Sequence, residues 1–143
     1  MQQFSLNTPA EGFIDITGQV RKIVASGNVQ NGLCQIFVPH TTAGVTINEN
    51  ADPDVVTDML AALGKMVPDL HYRHSEGNSP AHVKSSLVGC SITVPISEGR
   101  LCLGTWQGIC FCGSWSAAEV PDVVLRLIFL RNINLQCCNF MPA

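Results

Sequence analysis

Apolar and polar positions alternate along Phe4-Ser5-Leu6 and Phe13-Ile14-Asp15-Ile16, with the turn formers Thr8-Pro9 and Gly12 around them. This is the period of strands with one buried face. Val20, Ile23 and Val24 then form an i, i+3, i+4 stripe, which predicts a short helix capped by Thr17 and stopped at Gly27. Asn31-Gly32 turns the chain into a strand over 33–38 that ends at Pro39, and 42–48 reads as a second strand. Asp52-Pro53 opens a helix, since aspartate accepts the free amides of the first turn and proline loses nothing at the first helical position. That helix runs through Val56, Met59, Leu60 and Leu63 and stops near Gly64 or before Pro68. A short helix follows over 81–87. A hairpin comes next, with strands 91–96 and 100–104, a turn at 97–99 and Pro95 marking an edge or a bulge; 105–112 continues as strand. Residues 123–130 supply one more strand. Antiparallel hairpins with interleaved helices predict an α+β fold: one compact domain of antiparallel, sandwich-like sheets with two to three short helices.

Composition narrows the class. The 143 residues suffice for one domain with a substantial core, and a content of 46% hydrophobic residues predicts that most of the chain is ordered. The net charge is −3 and the eight Lys and Arg are scattered, so there is no electrostatic footprint for nucleic acid. Seven cysteines without a CxxC pair, several inside apolar runs, fit buried thiols in a reducing, cytoplasmic setting. That reading covers Cys34, Cys90 and Cys102 as well as the CxC pair Cys110 and Cys112. No secretory signal is visible, and the run 123–130, broken by Arg126, falls far short of the ~20 residues that span a bilayer. No membrane is expected.

Polar chemistry concentrates in two blocks, 37–58 and 67–80. His40, at a strand end, His74, in a loop fixed at both ends, and His82, on the short helix, are three imidazoles able to surround one divalent metal and leave a position open. The alternative is that each is a satisfied polar residue in a cleft. Glu49, Asp52, Asp54 and Asp58 have the oxygens for a hard cation, but Asp52 and Asp54 are better explained as first-turn acids favoured by the helix dipole. Glu49 precedes that cap, between Asn48 and Asn50, and stays a site candidate. Lys84, Thr105 and Gln107 offer a point charge, a hydroxyl and an amide for an anionic or polar ligand, or form ordinary surface.

Four stretches carry a resemblance: Ile14-Asp15-Ile16-Thr17, the run from His40-Thr41-Thr42-Ala43 to Asp52-Pro53, the run from Tyr72-Arg73-His74 to Lys84-Ser85-Ser86, and the run from Ser91-Ile92-Thr93 to Gln107-Gly108-Ile109. Over roughly residues 1–112 the chain resembles the YjbQ-like family called the secondary thiamine-phosphate synthase enzymes. The resemblance implies a homotrimeric α+β protein whose histidines matching His40, His74 and His82 meet in a cleft, around a divalent metal such as zinc or magnesium. It implies a weak ability to join a pyrimidine diphosphate to a thiazole phosphate, hence a small phosphorylated metabolite as ligand. Glu49 and Lys84 are then the catalytic candidates, and Thr42, Asn48, Asn50, Asn78, Thr105 and Gln107 the ligand-binding ones. The alternative is a non-catalytic homotrimer that binds a metal or such a metabolite. After Cys112 the family pattern continues with an acidic residue and a basic closing strand, whereas this chain has Gly113-Ser114-Trp115. Residues 113–143 are therefore set apart as an atypical tail to the family-like domain 1–112.

Overall fold

A computed structural model describes residues 1–6, 12–113 and 123–131. The elements are β1 (Gln2–Leu6), β2 (Gly12–Asp15), α1 (Thr17–Ser26), β3 (Gly32–Phe37), β4 (Gly44–Glu49), α2 (Pro53–Met66), α3 (Ser79–Val88), β5 (Ser91–Ser97), β6 (Arg100–Leu101), β7 (Gln107–Gly113) and β8 (Val123–Arg131). The strands form two sheets, β1-β8-β3-β5-β6 and β2-β7-β4, and every pairing is antiparallel. The chain is thus the α+β protein expected, with three helices among the described residues.

The two sheets face each other across one core. Cys34 and Ile36 of β3, Val94 and Ile96 of β5, and Leu125 and Leu127 of β8 meet Val45 of β4 and Ile109 and Phe111 of β7, while Val20 and Val24 of α1 join from one side. Alternate residues of each strand point inward, as period two requires. Helices α2 and α3 cover the other face of the small sheet: Leu63, Ala81 and Val88 pack on Phe13 and Cys112, and the Asn48 amide meets Met59 Sδ at 3.0 Å. No helix among the described residues is long and apolar enough to cross a membrane.

Several elements follow local rules. The Asp52 carboxylate accepts the Asp54 N–H at 2.9 Å and Pro53 occupies the first turn of α2, as expected; the helix then passes through Gly64 and ends at Met66. Pro95 is accommodated because its carbonyl, on the side away from β3, accepts the Cys102 N–H at 2.8 Å. A strand residue points its N–H and C=O to the same side, so the missing N–H costs β3 no ladder bond. The β5–β6 turn places Glu98 at φ 51° and Gly99 at φ 75°, the two left-handed positions that match the twist of a tight hairpin. Thr105 and Trp106, expected as strand, form the turn that precedes β7 instead, closed by the Gln107 N–H on the Gly104 carbonyl at 3.0 Å.

The start of α1 differs from expectation more deeply. Thr17 is the first helical residue, not the cap: Asp15 Oδ1 accepts its N–H at 2.8 Å and its hydroxyl proton. The Thr17 oxygen in turn accepts the Ile109 N–H at 2.8 Å, and the Ile16 N–H donates to the Ile109 carbonyl at 2.9 Å. A threonine that the sequence assigns to a local helix cap therefore clamps α1 to β7.

Candidate functional site

The loop between β3 and β4 is held against the C-terminal end of α3. The Val38 N–H donates to the Cys90 carbonyl at 2.8 Å, Val45 to Gly89 at 3.0 Å, and the buried Ser85 hydroxyl to the Ala43 carbonyl at 2.8 Å. Gly44 permits this approach, because a Cβ there would stand 2.6 Å from the Gly89 carbonyl oxygen. A groove of about 530 Å³ lies along this seam, lined by Thr41, His82, Ser85, Ser86, Gly89 and Cys90. Positions 82, 85, 86 and 89 have the i, i+3, i+4, i+7 spacing of one helix face. Ser85 and Ser86 were thus legible beside His82, although sequence reasoning passed them over.

His82 is half-buried and meets the exposed His74 ring edge-on, at 5.5 Å between centroids and 71° between planes. His74 Nε2 lies 3.6 Å from Glu76 Oε2, and the Asn78 amide donates to the same carboxylate oxygen at 3.1 Å. Asn78 precedes α3, and its Oδ1 is buried with no hydrogen-bond donor among the described residues. A buried acceptor left unmatched costs about 1–3 kcal/mol.

His40 is half-buried in the 38–43 loop. Among the described residues no three His, Cys, Asp or Glu side chains are grouped so as to hold a metal ion. The three-imidazole set read from the sequence is not gathered there; His74 and His82 alone are in ring contact. Lys84 is 7% exposed, has a partner, and is not among the residues that line the groove. Thr42 is half-buried, and it is Thr41 that lines the groove.

The remaining candidates lie at the other end of β4. Glu49 faces Gln107 across the β4–β7 ladder, about 17 Å along the strand from Gly44 at the usual rise per residue. Their neighbours are occupied in building the fold. Asn48 Oδ1 accepts the Glu49 N–H at 2.8 Å, the Asn50 amide donates to Asp15 Oδ2 at 3.0 Å, and Gln107 Oε1 accepts the Gly104 N–H at 2.8 Å. Thr105 is exposed in the adjoining turn. Strand β4 therefore separates what the sequence presents as one polar block into two places.

The thiols sort by burial. Cys34, Cys110 and Cys112 are buried, as read from the sequence, but Cys90 is exposed in the groove and Cys102 is intermediate. Burial raises the Cys34 thiol from 9.0 to about 12. It also raises Cys112 and Cys110, with the neighbouring Cys110 thiol and the Asp15 carboxylate, respectively, as smaller contributors. Because the thiolate is the nucleophile, iodoacetamide is expected to alkylate Cys90 in the native protein and to reach Cys34, Cys110 and Cys112 only after unfolding, a sequence that peptide mass spectrometry reads directly. A folded-state value above the unfolded one means that the folded chain holds the proton more tightly. The Cys34 contribution to stability is therefore complete below pH 9.0 and is lost as pH rises toward about 12.

The sequence and structure have measured counterparts. The family profile described as "UPF0047 protein YjbQ-like" matches residues 2–126. A UPF0047 protein of Methanocaldococcus jannaschii is 51% identical over 102 residues, 71% of this chain and 74% of that protein. UPF0047 protein YugU of Bacillus subtilis is 51% identical over 107 residues, covering 73% of this chain and 81% of its own length. The crystal structure of an uncharacterized conserved YjbQ/UPF0047 family protein from Clostridium acetobutylicum superposes with a TM-score of 0.83 at 46% identity, covering 91% of this chain and all of that one, 100%.

Proposed function

The chain belongs to the YjbQ-like UPF0047 family, and from that premise we propose that the α3 groove binds a small phosphorylated metabolite and supports a slow transfer of the thiamine-phosphate synthase type. The observation that carries this reading is the His74–His82 contact at the edge of a groove lined by hydroxyls. In such a transfer the thiazole nitrogen forms a C–N bond to the pyrimidine methylene. The C–O bond to the diphosphate breaks, and its electron pair leaves with pyrophosphate. No protein nucleophile is needed; the demand is for donors at the leaving oxygens.

The groove meets that demand sparingly. The Ser85 and Ser86 hydroxyl protons are committed to the Ala43 and His82 carbonyls, at 2.8 and 2.9 Å. His82 and Thr41 remain as the side chains to meet phosphate oxygens, with His74 next to His82. Lys84, the cation expected for this task, is turned into the fold. So small a set of donors predicts a low rate. A divalent metal is given no step, because the described residues gather no three ligands.

The test is product formation by purified protein from the pyrimidine diphosphate and the thiazole phosphate. The expected result is slow turnover that falls about tenfold or more in His82→Ala. Saturable binding of thiazole phosphate without turnover would favour the non-catalytic reading, and neither binding nor turnover would overturn both. Metal content measured on the same wild-type preparation and on a His74→Ala/His82→Ala double variant addresses the ion: a loss in the variant makes the two imidazoles ligands, and equal content removes them from that role.

A further inference from the structure

A second cavity, of about 400 Å³, lies between α1 and the β5–β6 hairpin. Arg21, Val24 and Ala25 of the helix line one side, and Gly99, Arg100 and Leu101 of the hairpin the other. Val24 is buried and Leu101 half-buried, so the floor is apolar; Arg21 and Arg100 are exposed. Neither guanidinium has an ion pair or hydrogen bond among the described residues, where the recorded ion pair is His74–Glu76. In a chain of net charge −3 with eight Lys and Arg, two unpaired arginines border the same apolar-floored cavity.

Both arginines stand on fixed backbone. Arg21 lies within α1, and Arg100 pairs with Ser97 directly after the tight turn, which the Gly99 N–H anchors to the Gln30 carbonyl at 2.9 Å. The acid next to the cavity in sequence, Glu98, is exposed in that turn and does not line the cavity; its N–H meets Asn31 Oδ1 at 3.4 Å. A guanidinium is a planar, permanently charged fork suited to phosphate oxygens, and a cavity of this volume accepts a small organic body.

We infer that this cavity is a binding site for a small phosphate monoester with an apolar body, its phosphate held by Arg21 and Arg100 and its body seated on Val24 and Leu101. The site is separate from the α3 groove. Cys90 and Gly99 lie beyond opposite ends of β5, whose seven residues span about 20 Å, and the two cavities share no lining residue. The inference does not rest on the transfer proposed for the groove.

Titration calorimetry with phenyl phosphate, inorganic phosphate and phenol tests it. Phenyl phosphate is expected to bind more tightly than either fragment, because only it engages both the forks and the floor. Arg21→Gln/Arg100→Gln is expected to weaken that binding about tenfold or more. Both arginines are exposed, so the melting temperature of the double variant should match the wild type; Arg21→Lys/Arg100→Lys, which keeps the charge but loses the fork, should fall in between. No heat of binding at about 10 mM phenyl phosphate, or equal affinity in the double Gln variant, would each overturn the assignment.

Discussion

A chain ending at Ala117 is expected to fail to fold. The truncation removes β8, which lies inside the five-stranded sheet, paired with β1 on one side over five register positions and with β3 on the other over six. Without it β1 has no partner strand, and β3 presents a bare edge in the middle of the former sheet. The loss also takes Leu125 and Leu127, both fully buried, from the core. Each fully buried leucine contributes about 1.5–3 kcal/mol, so the two side chains alone approach the 5–15 kcal/mol that separates folded from unfolded states in typical domains. The expected outcome is an insoluble product, or a soluble one without a cooperative thermal transition by circular dichroism. A truncated chain with the wild-type melting profile would make β8 dispensable.

Thr17→Val is expected to destabilise the protein by about 2–4 kcal/mol, read from urea unfolding, while Thr17→Ser stays within about 1 kcal/mol of wild type. Valine preserves the shape but strips both hydrogen bonds of the hydroxyl. The Ile109 N–H is left buried without an acceptor, because that strand residue is 0% exposed, and the Asp15 carboxylate loses one of its donors. An unmatched buried amide costs about 1–3 kcal/mol, and a hydrogen bond to a charged acceptor adds about 1.5. Serine retains the hydroxyl and gives up only a methyl group. Equal stability of Thr17→Val and wild type would show that the clamp between α1 and β7 contributes nothing.

These two expectations mark where sequence reading stops. The local signals were sound: the Asp52-Pro53 start of α2, the α1 stripe of Val20, Ile23 and Val24, and the turns that open β3 and close β5 all depend on neighbours within a few residues. Thr17 misled because its decisive partner, Ile109, is 92 residues away. A hydroxyl followed by an apolar stripe reads as a helix cap whatever the distant strand requires. The strand at 123–131 was visible as an apolar run, but its place between β1 and β3 depends on pairings that periodicity does not encode.

The candidate site shows the same division. His74 and His82 are eight positions apart, within reach through a loop and one helix turn, and their contact is the part of the expected constellation that materialises as a pair. His40 and the Asn48-Glu49-Asn50 run were placed with them because they share a polar block. An extended strand carries its two ends far apart, however, and β4 delivers Glu49 to the end opposite the groove. Cys90 reversed for a related reason: nothing in its immediate neighbours distinguishes it from the buried cysteines, and only the packing of α3 against the 38–43 loop leaves it in the groove.

What the sequence determined by itself is the kind of protein this is. One α+β domain, the family, most helix and strand positions, and the concentration of polar chemistry in 37–58 and 67–80 all follow from propensity, period and motif. The tertiary structure decided which of those side chains are free to act. The Ser85 and Ser86 protons are bound to carbonyls, Lys84 is buried, Asn50 is tied to Asp15, and Arg21 and Arg100 have no pairing partner among the described residues and border one cavity. The physical reason is that a polar group's availability depends on the partners that long-range packing brings to it, and residues far apart in the chain make those partnerships.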